Sequence, residues 1–146
     1  MIEMPRFAAN LSTLFTEHAF LDRFRAAADA GFRAVECQFP YAHPADAVAR
    51  ALSDAGQTLV LHNLPPGDWL GGERGLAALP GREAEFRRAV ETGIIYAKAL
   101  GCRQVNCLAG IAGGPASHAC LVENLKFAAY RLAAEGLHCP TETINP

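Results

Sequence analysis

A repeating unit of strand, polar tip, loop and helix constrains this chain more than any other feature of its sequence. Each helix-like segment ends in a glycine, and an apolar run begins within a few residues. The glycines that close these segments are Gly31, Gly56, Gly101 and Gly136. Glycine is favoured just after a helix because it adopts the left-handed backbone conformation without a steric cost. Strands that alternate with helices in this way predict a parallel sheet.

The predicted strands span residues 7–11, 32–39, 58–63 and 104–108, and a fifth begins at Leu137. The third helix has the clearest pattern, because its apolar residues recur every three or four positions: Phe86, Ala89, Val90, Gly93, Ile94, Ala97 and Leu100. Thr16 and Ser117 have the side chains that cap helix N-termini, so they predict the starts of the first and fourth helices.

Polar residues stand at or near the end of every predicted strand, namely Asn10, Glu36, Gln38, His62, Asn63, Asn106, Glu142 and Asn145. In a parallel sheet all carboxyl ends lie at one edge, and (β/α) barrels build their active sites there. A doubly wound nucleotide-binding sheet is the alternative, but residues 10–13 lack the glycines of its phosphate-binding turn. We therefore predict an α/β fold, a partial (β/α)8 TIM barrel with the first four βα units and a fifth strand.

The composition of the chain argues against several classes of protein, including nucleic-acid-binding and membrane proteins. The 146 residues are 51% hydrophobic and 19% charged, as in one globular domain spanning 1–146. A net charge of −2 argues against partners such as nucleic acid or an anionic membrane, and no apolar run approaches the ~20 residues of a membrane span. The five cysteines are odd in number and form no C-x-x-C pair, which indicates reduced thiols in a cytoplasmic protein.

The stretch from His62 to Trp69 closes the third strand and opens a long glycine-rich loop that reaches Pro80. An apolar strand that ends in His and Asn, followed by a loop with Asp, Trp and Arg, is typical of the mouth of an active site. The other predicted strands also end in segments that carry polar residues, namely residues 7–15, 35–41 and 105–110. Together these motifs resemble hydroxypyruvate isomerase, a family of the xylose isomerase-like barrels. The resemblance follows the whole chain in order and covers the N-terminal half of that family.

The resemblance implies an enzyme that interconverts hydroxypyruvate and 2-hydroxy-3-oxopropanoate, a small keto acid and its aldehyde isomer, through an enediolate. It also implies a divalent metal, Mg²⁺ or Mn²⁺, that assists the proton transfer. Glu142 matches the carboxylate that serves the family as metal ligand and as one catalytic acid/base. The other ligands would follow a fifth strand after which this chain is truncated, so we expect it to be incomplete or inactive alone.

Each of the remaining site residues has two alternative roles, one in substrate binding and one in the structure. His62 either contacts a substrate oxygen or is a hydrogen-bonded core residue, and Glu36 either contacts substrate or neutralises a basic neighbour. Asn106 is a substrate contact or a strand-end cap. Arg74 anchors the substrate carboxylate or is an exposed loop arginine, while Trp69 covers the site or packs the loop on the barrel.

Three alternative functions stay open. The first is a non-catalytic half-barrel that needs a partner chain, since open edges at strands one and five would invite self-association. The second is a related sugar or keto-acid epimerase. The third is an endonuclease-like barrel, which the acidic charge balance disfavours. Pro140 cannot donate to a strand ladder, so it predicts a bend in the fifth strand.

Overall fold

A computed structural model describes residues 5–142 of the chain. Its strands form one parallel sheet in which each strand neighbours the next in sequence: β1 (Ala8–Asn10), β2 (Ala34–Glu36), β3 (Thr58–Asn63) and β4 (Val105–Asn106). Sequential order with parallel pairing needs a crossover between every pair of strands, and helices supply these crossovers. The predicted βα organisation is confirmed.

Four α-helices follow the strands: α1 (Arg23–Asp29), α2 (Ala45–Asp54), α3 (Glu83–Leu100) and α4 (Pro115–Ala133). Short 3₁₀ segments precede the first two, at Phe20–Asp22 and Pro40–Ala42. The acidic residues in the first turn of α3 interact favourably with the positive end of the helix dipole. Gly101 follows the last residue of α3 and has the left-handed backbone conformation that commonly ends a helix. Among residues 5–142, no helix combines the length and apolar character needed to cross a membrane.

Two predicted helix caps are wrong. Thr16 lies in a turn, and α1 begins only at Arg23, after the 3₁₀ segment. The cap of α4 is Gly114, with Pro115 as the first helical residue, and Ser117 is buried within the first turn. Proline at this position costs nothing because the first helical N–H groups have no intrahelical partner.

The core lies between the sheet and the helices. Ala9, Val35 and Leu59 are buried against α1 and α2, whereas Val105 belongs to a second buried cluster with α3 and α4. The opposite face of the sheet, the interior face, carries small residues toward the amino ends of the strands, where Ala8, Ala34, Thr58 and Val60 line a wide open cavity.

Residues 137–140 continue the sheet beside β4. The His138 N–H donates to the Arg103 carbonyl (2.8 Å), and the His138 and Pro140 carbonyls accept from the N–H groups of Val105 and Cys107 (3.0 Å each). Pro140 therefore joins the sheet through its carbonyl alone, which a strand edge allows. The rest of the predicted fifth strand, residues 143–145, lies outside the described residues.

Candidate functional site

A β-bulge in β3 decides which side chains reach the interior face. Val35 of β2 lies opposite Leu59, but the next residue, Glu36, lies opposite Leu61. Val60 is therefore an extra residue in β3. A bulge of this kind shifts the alternation of side chains by one position from that point onward.

Beyond the bulge, His62 pairs with Val105 and Asn63 pairs with Asn106. Paired residues on neighbouring strands point to the same face of the sheet. Because Val105 is part of the helix-side core, His62 also faces the helices. Asn63 and Asn106 consequently lie on the interior face, where regular alternation from Leu59 would have put His62.

The two asparagines form a hydrogen-bonded pair at the carboxyl ends of β3 and β4. Asn106 Nδ2 donates to Asn63 Oδ1 over 3.0 Å, and both residues are buried. Asn106 Oδ1 has no hydrogen-bond partner among the described residues. A buried amide oxygen without a donor is costly, so this pair keeps an unmet acceptor beside the open edge of the sheet.

A second polar pair stands at the ends of β1 and β2. Asn10 Nδ2 donates to Glu36 Oε1 over 2.9 Å, while Asn10 Oδ1 accepts from the Ser12 N–H over 2.9 Å. Asn10 lies opposite Glu36 in the ladder, so both share the interior face. One carboxylate and three amides, those of Asn10, Asn63 and Asn106, thus line four adjacent strand ends, and we call them the interior polar row.

His62 is fully buried between the sheet and the helices. Its Nδ1 lies 3.1 Å from the Asn63 carbonyl and 3.1 Å from the Tyr41 hydroxyl, which itself donates to that carbonyl over 2.6 Å. This pattern assigns the proton to Nδ1, and Nε2 is left buried without a partner among residues 5–142. Burial lowers the pKa of His62 to about 4, and the hydrogen bond to the Asn63 carbonyl opposes this with a lesser effect.

The long loop after β3 stacks three side chains beyond the end of β2. The Trp69 ring lies 4.8 Å from the Phe39 ring, and the Arg74 guanidinium lies 4.2 Å over the Trp69 ring. Arg74 Nη1 also donates to the carbonyls of Trp69 (3.0 Å) and Glu73 (2.7 Å). Trp69 therefore packs the loop onto the barrel and supports Arg74, which remains exposed.

Both sides of this loop are tethered. Arg82 binds the Glu73 carboxylate through both terminal nitrogens, and this side-chain hydrogen bond is the main cause of the lowered pKa of Glu73. Gly75 pairs with Ala109 just after β4, at a φ of +124° that favours glycine, and a Cβ there would strike the Leu108 backbone. The loop is thus fixed to the N-cap residue of α3 and to the end of β4.

Glu142 lies exposed just past residues 137–140, at the same carboxyl edge as the interior polar row. Within residues 5–142, no three His, Cys, Asp or Glu side chains come together as a metal site would require. The described residues by themselves therefore do not fit a resident divalent ion, and Glu142 is the one predicted ligand among them.

Comparisons with known proteins agree with this geometry. The sequence model described as "Xylose isomerase-like TIM barrel" matches residues 24–146. The chain belongs to this family. The parallel sheet with its helices is accordingly a partial barrel, as predicted.

The most similar relatives include two bacterial proteins named as isomerases. The chain is 51% identical to the 2-oxo-tetronate isomerase of Cupriavidus necator, over 97% of this chain and 56% of the relative. It is 49% identical to the hydroxypyruvate isomerase of Escherichia coli, over 97% of this chain and 57% of the relative. These names confirm the predicted resemblance to an isomerase family. The chain spans about half the length of the curated relatives it matches.

A solved structure from Brucella melitensis, named as an AP endonuclease of family 2, superposes with a TM-score of 0.94. It is 50% identical, and the match covers 97% of this chain and 56% of that chain. Relatives named as isomerases and one named as an AP endonuclease are thus about equally similar to this chain. The choice between these two activities therefore depends on the residues of the site.

The structure brings some predicted site residues together and separates others. Glu36 and Asn106 lie in the interior polar row, and Trp69 stacks with Arg74 in the loop. His62 lies on the other side of the sheet. Asn63, which the sequence placed at the strand end but not among the substrate contacts, takes the interior position instead. The sequence did not predict this position because the bulge has no signature in the β3 sequence. Their roles in substrate binding stay predictions.

Proposed function

We propose that this chain forms the substrate-facing part of an isomerase that acts on a small hydroxylated 2-oxo acid, either hydroxypyruvate or 2-oxo-tetronate. The observation that carries the proposal is the interior polar row at the carboxyl edge of a parallel sheet. This is where barrel enzymes bind substrate, and the relatives named as isomerases share about half of the residues across the whole chain.

The proposed reaction moves one proton between adjacent carbons. In hydroxypyruvate a base removes a proton from C3, the C–H electron pair forms the C2–C3 double bond of an enediolate, and the electron pair of the C2 carbonyl moves onto its oxygen. The hydroxyl proton passes from the C3 oxygen to the C2 oxygen, a proton returns to C2, and the C3 oxygen forms the aldehyde. Glu142 is proposed as one of the carboxylates that carry this proton. The substrate hydroxyl groups would be oriented by hydrogen bonds to the amides of Asn63 and Asn106 and to the carboxylate of Glu36.

An isomerase accounts for the site better than a nuclease does. A nuclease needs a basic surface for phosphate contacts, and this chain carries a net charge of −2. The interior polar row contains amides and a carboxylate but no cation, which suits a small hydroxylated substrate. An epimerase acting on a sugar or keto acid would use similar proton chemistry and differs in which carbon is reprotonated.

A chimaeric enzyme tests the proposal. Residues 1–142 are joined to the remainder of the Escherichia coli relative, and proton NMR follows hydroxypyruvate and 2-oxo-tetronate. We expect isomerisation of at least one of them, and its loss in a Glu142→Gln chimaera that has the same circular dichroism spectrum. A folded chimaera that is inactive on both acids contradicts the proposal. Turnover by the 146-residue chain alone would contradict the expectation that this chain is inactive by itself.

A divalent metal, Mg²⁺ or Mn²⁺, is part of the proposal, with Glu142 as one ligand. When bound, it would act as a Lewis acid toward the substrate oxygens. Dialysis of the chimaera against a chelator should abolish turnover, and re-addition of the metal should restore it. Unchanged turnover in the chelated protein would remove the metal from the proposal.

A second candidate is a half-barrel that associates with a partner, and the open interior face favours it. Within residues 5–142, β1 has a neighbouring strand on one side only, and the cavity on the interior face leaves Ala8 and Thr58 exposed. Exposed strand edges favour pairing with another chain. Gel filtration with light scattering should then find a dimer, whereas a compact monomer at all concentrations argues against self-association.

The cysteines support a reducing compartment such as the cytoplasm. All five are free thiols, and Cys37, Cys102 and Cys107 are buried. Buried free thiols of this kind behave as small apolar side chains. Thiol labelling under denaturing conditions, with the protein taken directly from cells, should find five reactive groups, and a lower number would contradict this assignment.

A further inference from the structure

Arg74 carries a positive charge that no carboxylate neutralises within residues 5–142. The acids nearest to it in sequence are engaged elsewhere. The Glu73 carboxylate binds Arg82 and accepts from the Asp68 N–H, and Asp68 Oδ1 accepts from the Gly71 N–H over 2.9 Å. The carboxylates of Glu73 and Asp68 therefore bind groups other than Arg74.

The guanidinium group is held in place by one of its edges. Nη1 donates to two backbone carbonyls, and the plane of the group lies over the Trp69 ring. A guanidinium has five N–H donors, so the Nε and Nη2 donors remain available. That pair of parallel donors is the edge that binds a carboxylate in a two-bond, fork-like arrangement.

The position of this edge is set by rigid contacts. Trp69 packs on Phe39, which lies three residues beyond Glu36 of the interior polar row. The Gly75–Ala109 bridge holds the residue after Arg74 against the end of β4. Little conformational freedom is left for Arg74 to lose when an anion binds, and a preorganised donor binds more tightly than a mobile one.

We propose that Arg74 binds the carboxylate of the substrate and so makes the site selective for 2-oxo acids over neutral keto sugars. The identity of the substrate rests on the proposed function, whereas the carboxylate subsite itself rests on the geometry of Arg74. A neutral ketose would leave the exposed fork of the guanidinium without a charged partner and would gain no charge-assisted hydrogen bond.

The single tryptophan of the chain is a reporter at this subsite, because the guanidinium lies on its ring. Trp69 fluorescence is titrated with hydroxypyruvate, with pyruvate and with dihydroxyacetone, which has the three-carbon ketone but no carboxylate. Isothermal calorimetry repeats each titration, so that binding without a fluorescence change is still detected. We expect both acids to bind and dihydroxyacetone to bind far more weakly.

Two variants assign the effect to Arg74. A hydrogen-bonded charge contact contributes on the order of 1.5–3 kcal/mol, so Arg74→Gln should weaken binding of both acids roughly ten- to hundredfold. Arg88→Gln is the matched control, since Arg88 is an exposed arginine on α3 without an ion-pair partner among the described residues. It should leave the affinity unchanged. Arg74→Lys keeps the charge but loses the fork, and an intermediate affinity is expected.

Three results would overturn the inference: equal binding of acids by the parent chain and Arg74→Gln, equal binding of hydroxypyruvate and dihydroxyacetone, or no binding of either acid by calorimetry. Pyruvate separates this inference from the proposed function, because it has the carboxylate but no hydroxyl to isomerise. Arg74-dependent binding of pyruvate together with an inactive chimaera would sustain the subsite and refute the isomerase.

Discussion

The buried His62 should make the protein lose stability as the pH falls below neutrality. Its folded pKa is about 4, against 6.5 for an ordinary histidine. Between these values the unfolded chain binds a proton at His62 and the folded chain does not. The unfolded state therefore binds more protons, and the free energy of unfolding decreases as the pH decreases. The contribution is fully present above pH 6.5 and is lost by about pH 4.

The size of the effect follows from the shift. One pKa unit corresponds to about 1.4 kcal/mol, so a shift of this size amounts to about 3 kcal/mol. Between pH 6 and pH 4.5 the slope from this one residue should approach about 1.4 kcal/mol per pH unit. The change is a large share of the ~5–15 kcal/mol free energy of unfolding that is typical of a domain. The loss of stability with falling pH should therefore be easy to measure.

Urea unfolding at pH 7, 6, 5 and 4.5 measures this slope. The informative variant is His62→Phe, which keeps a ring edge against Tyr41 and cannot titrate. Its unfolding free energy should change less with pH than that of the parent, by the amount given above. His118→Asn removes an exposed histidine and should follow the parent. Parallel pH profiles for the parent and His62→Phe would refute the buried, neutral state of His62.

Further predictions concern the loop and the strand ends. Gly75→Ala should destabilise the fold by about 1–3 kcal/mol in urea unfolding, and by more than Gly72→Ala, because both glycines have positive φ but only Gly75 has the Leu108 backbone in the way. Equal losses would mean that the contact with Leu108 is unimportant. Tyr41→Phe removes the hydroxyl that donates to the Asn63 carbonyl and should cost about 1 kcal/mol, whereas no loss would argue against that bond. Because Arg82 lowers the pKa of Glu73, acid should release this tether as the pH falls through that lowered pKa. Trp69 fluorescence should report the release, and Glu73→Gln should abolish the pH dependence.

Much of the fold could be predicted from sequence because each element has local physical causes. The apolar stripe of α3 predicted its buried face residue by residue, from Phe86 to Leu100, and β3 has the predicted bounds. The predicted helix starts were wrong because Thr16 lies in a turn just after Phe15, whose φ is +59°, and because α4 already begins at Pro115, before Ser117. Capping preference is weaker than those constraints.

The site was predictable to the level of the strand ends but not of the side-chain directions. The polar residues at the ends of the predicted parallel strands placed Glu36 and Asn106 at one edge of the sheet from the sequence alone. The face occupied by His62 depends on the extra residue at Val60, and a bulge is a property of two strands in register rather than of one. The loop sequence identified Trp69 and Arg74, but their stacking, and the pairing of Glu73 with Arg82, required the folded chain.

The central claim is that substrate binds at the interior polar row, on the side of the sheet opposite His62. NMR of the ¹⁵N-labelled chain during titration with hydroxypyruvate tests it most directly. The account predicts shifts of the side-chain amide signals of Asn10, Asn63 and Asn106 and of the Trp69 indole. Shifts confined to the cavity at the amino ends of the strands, which Arg6 and Arg33 line, would contradict it.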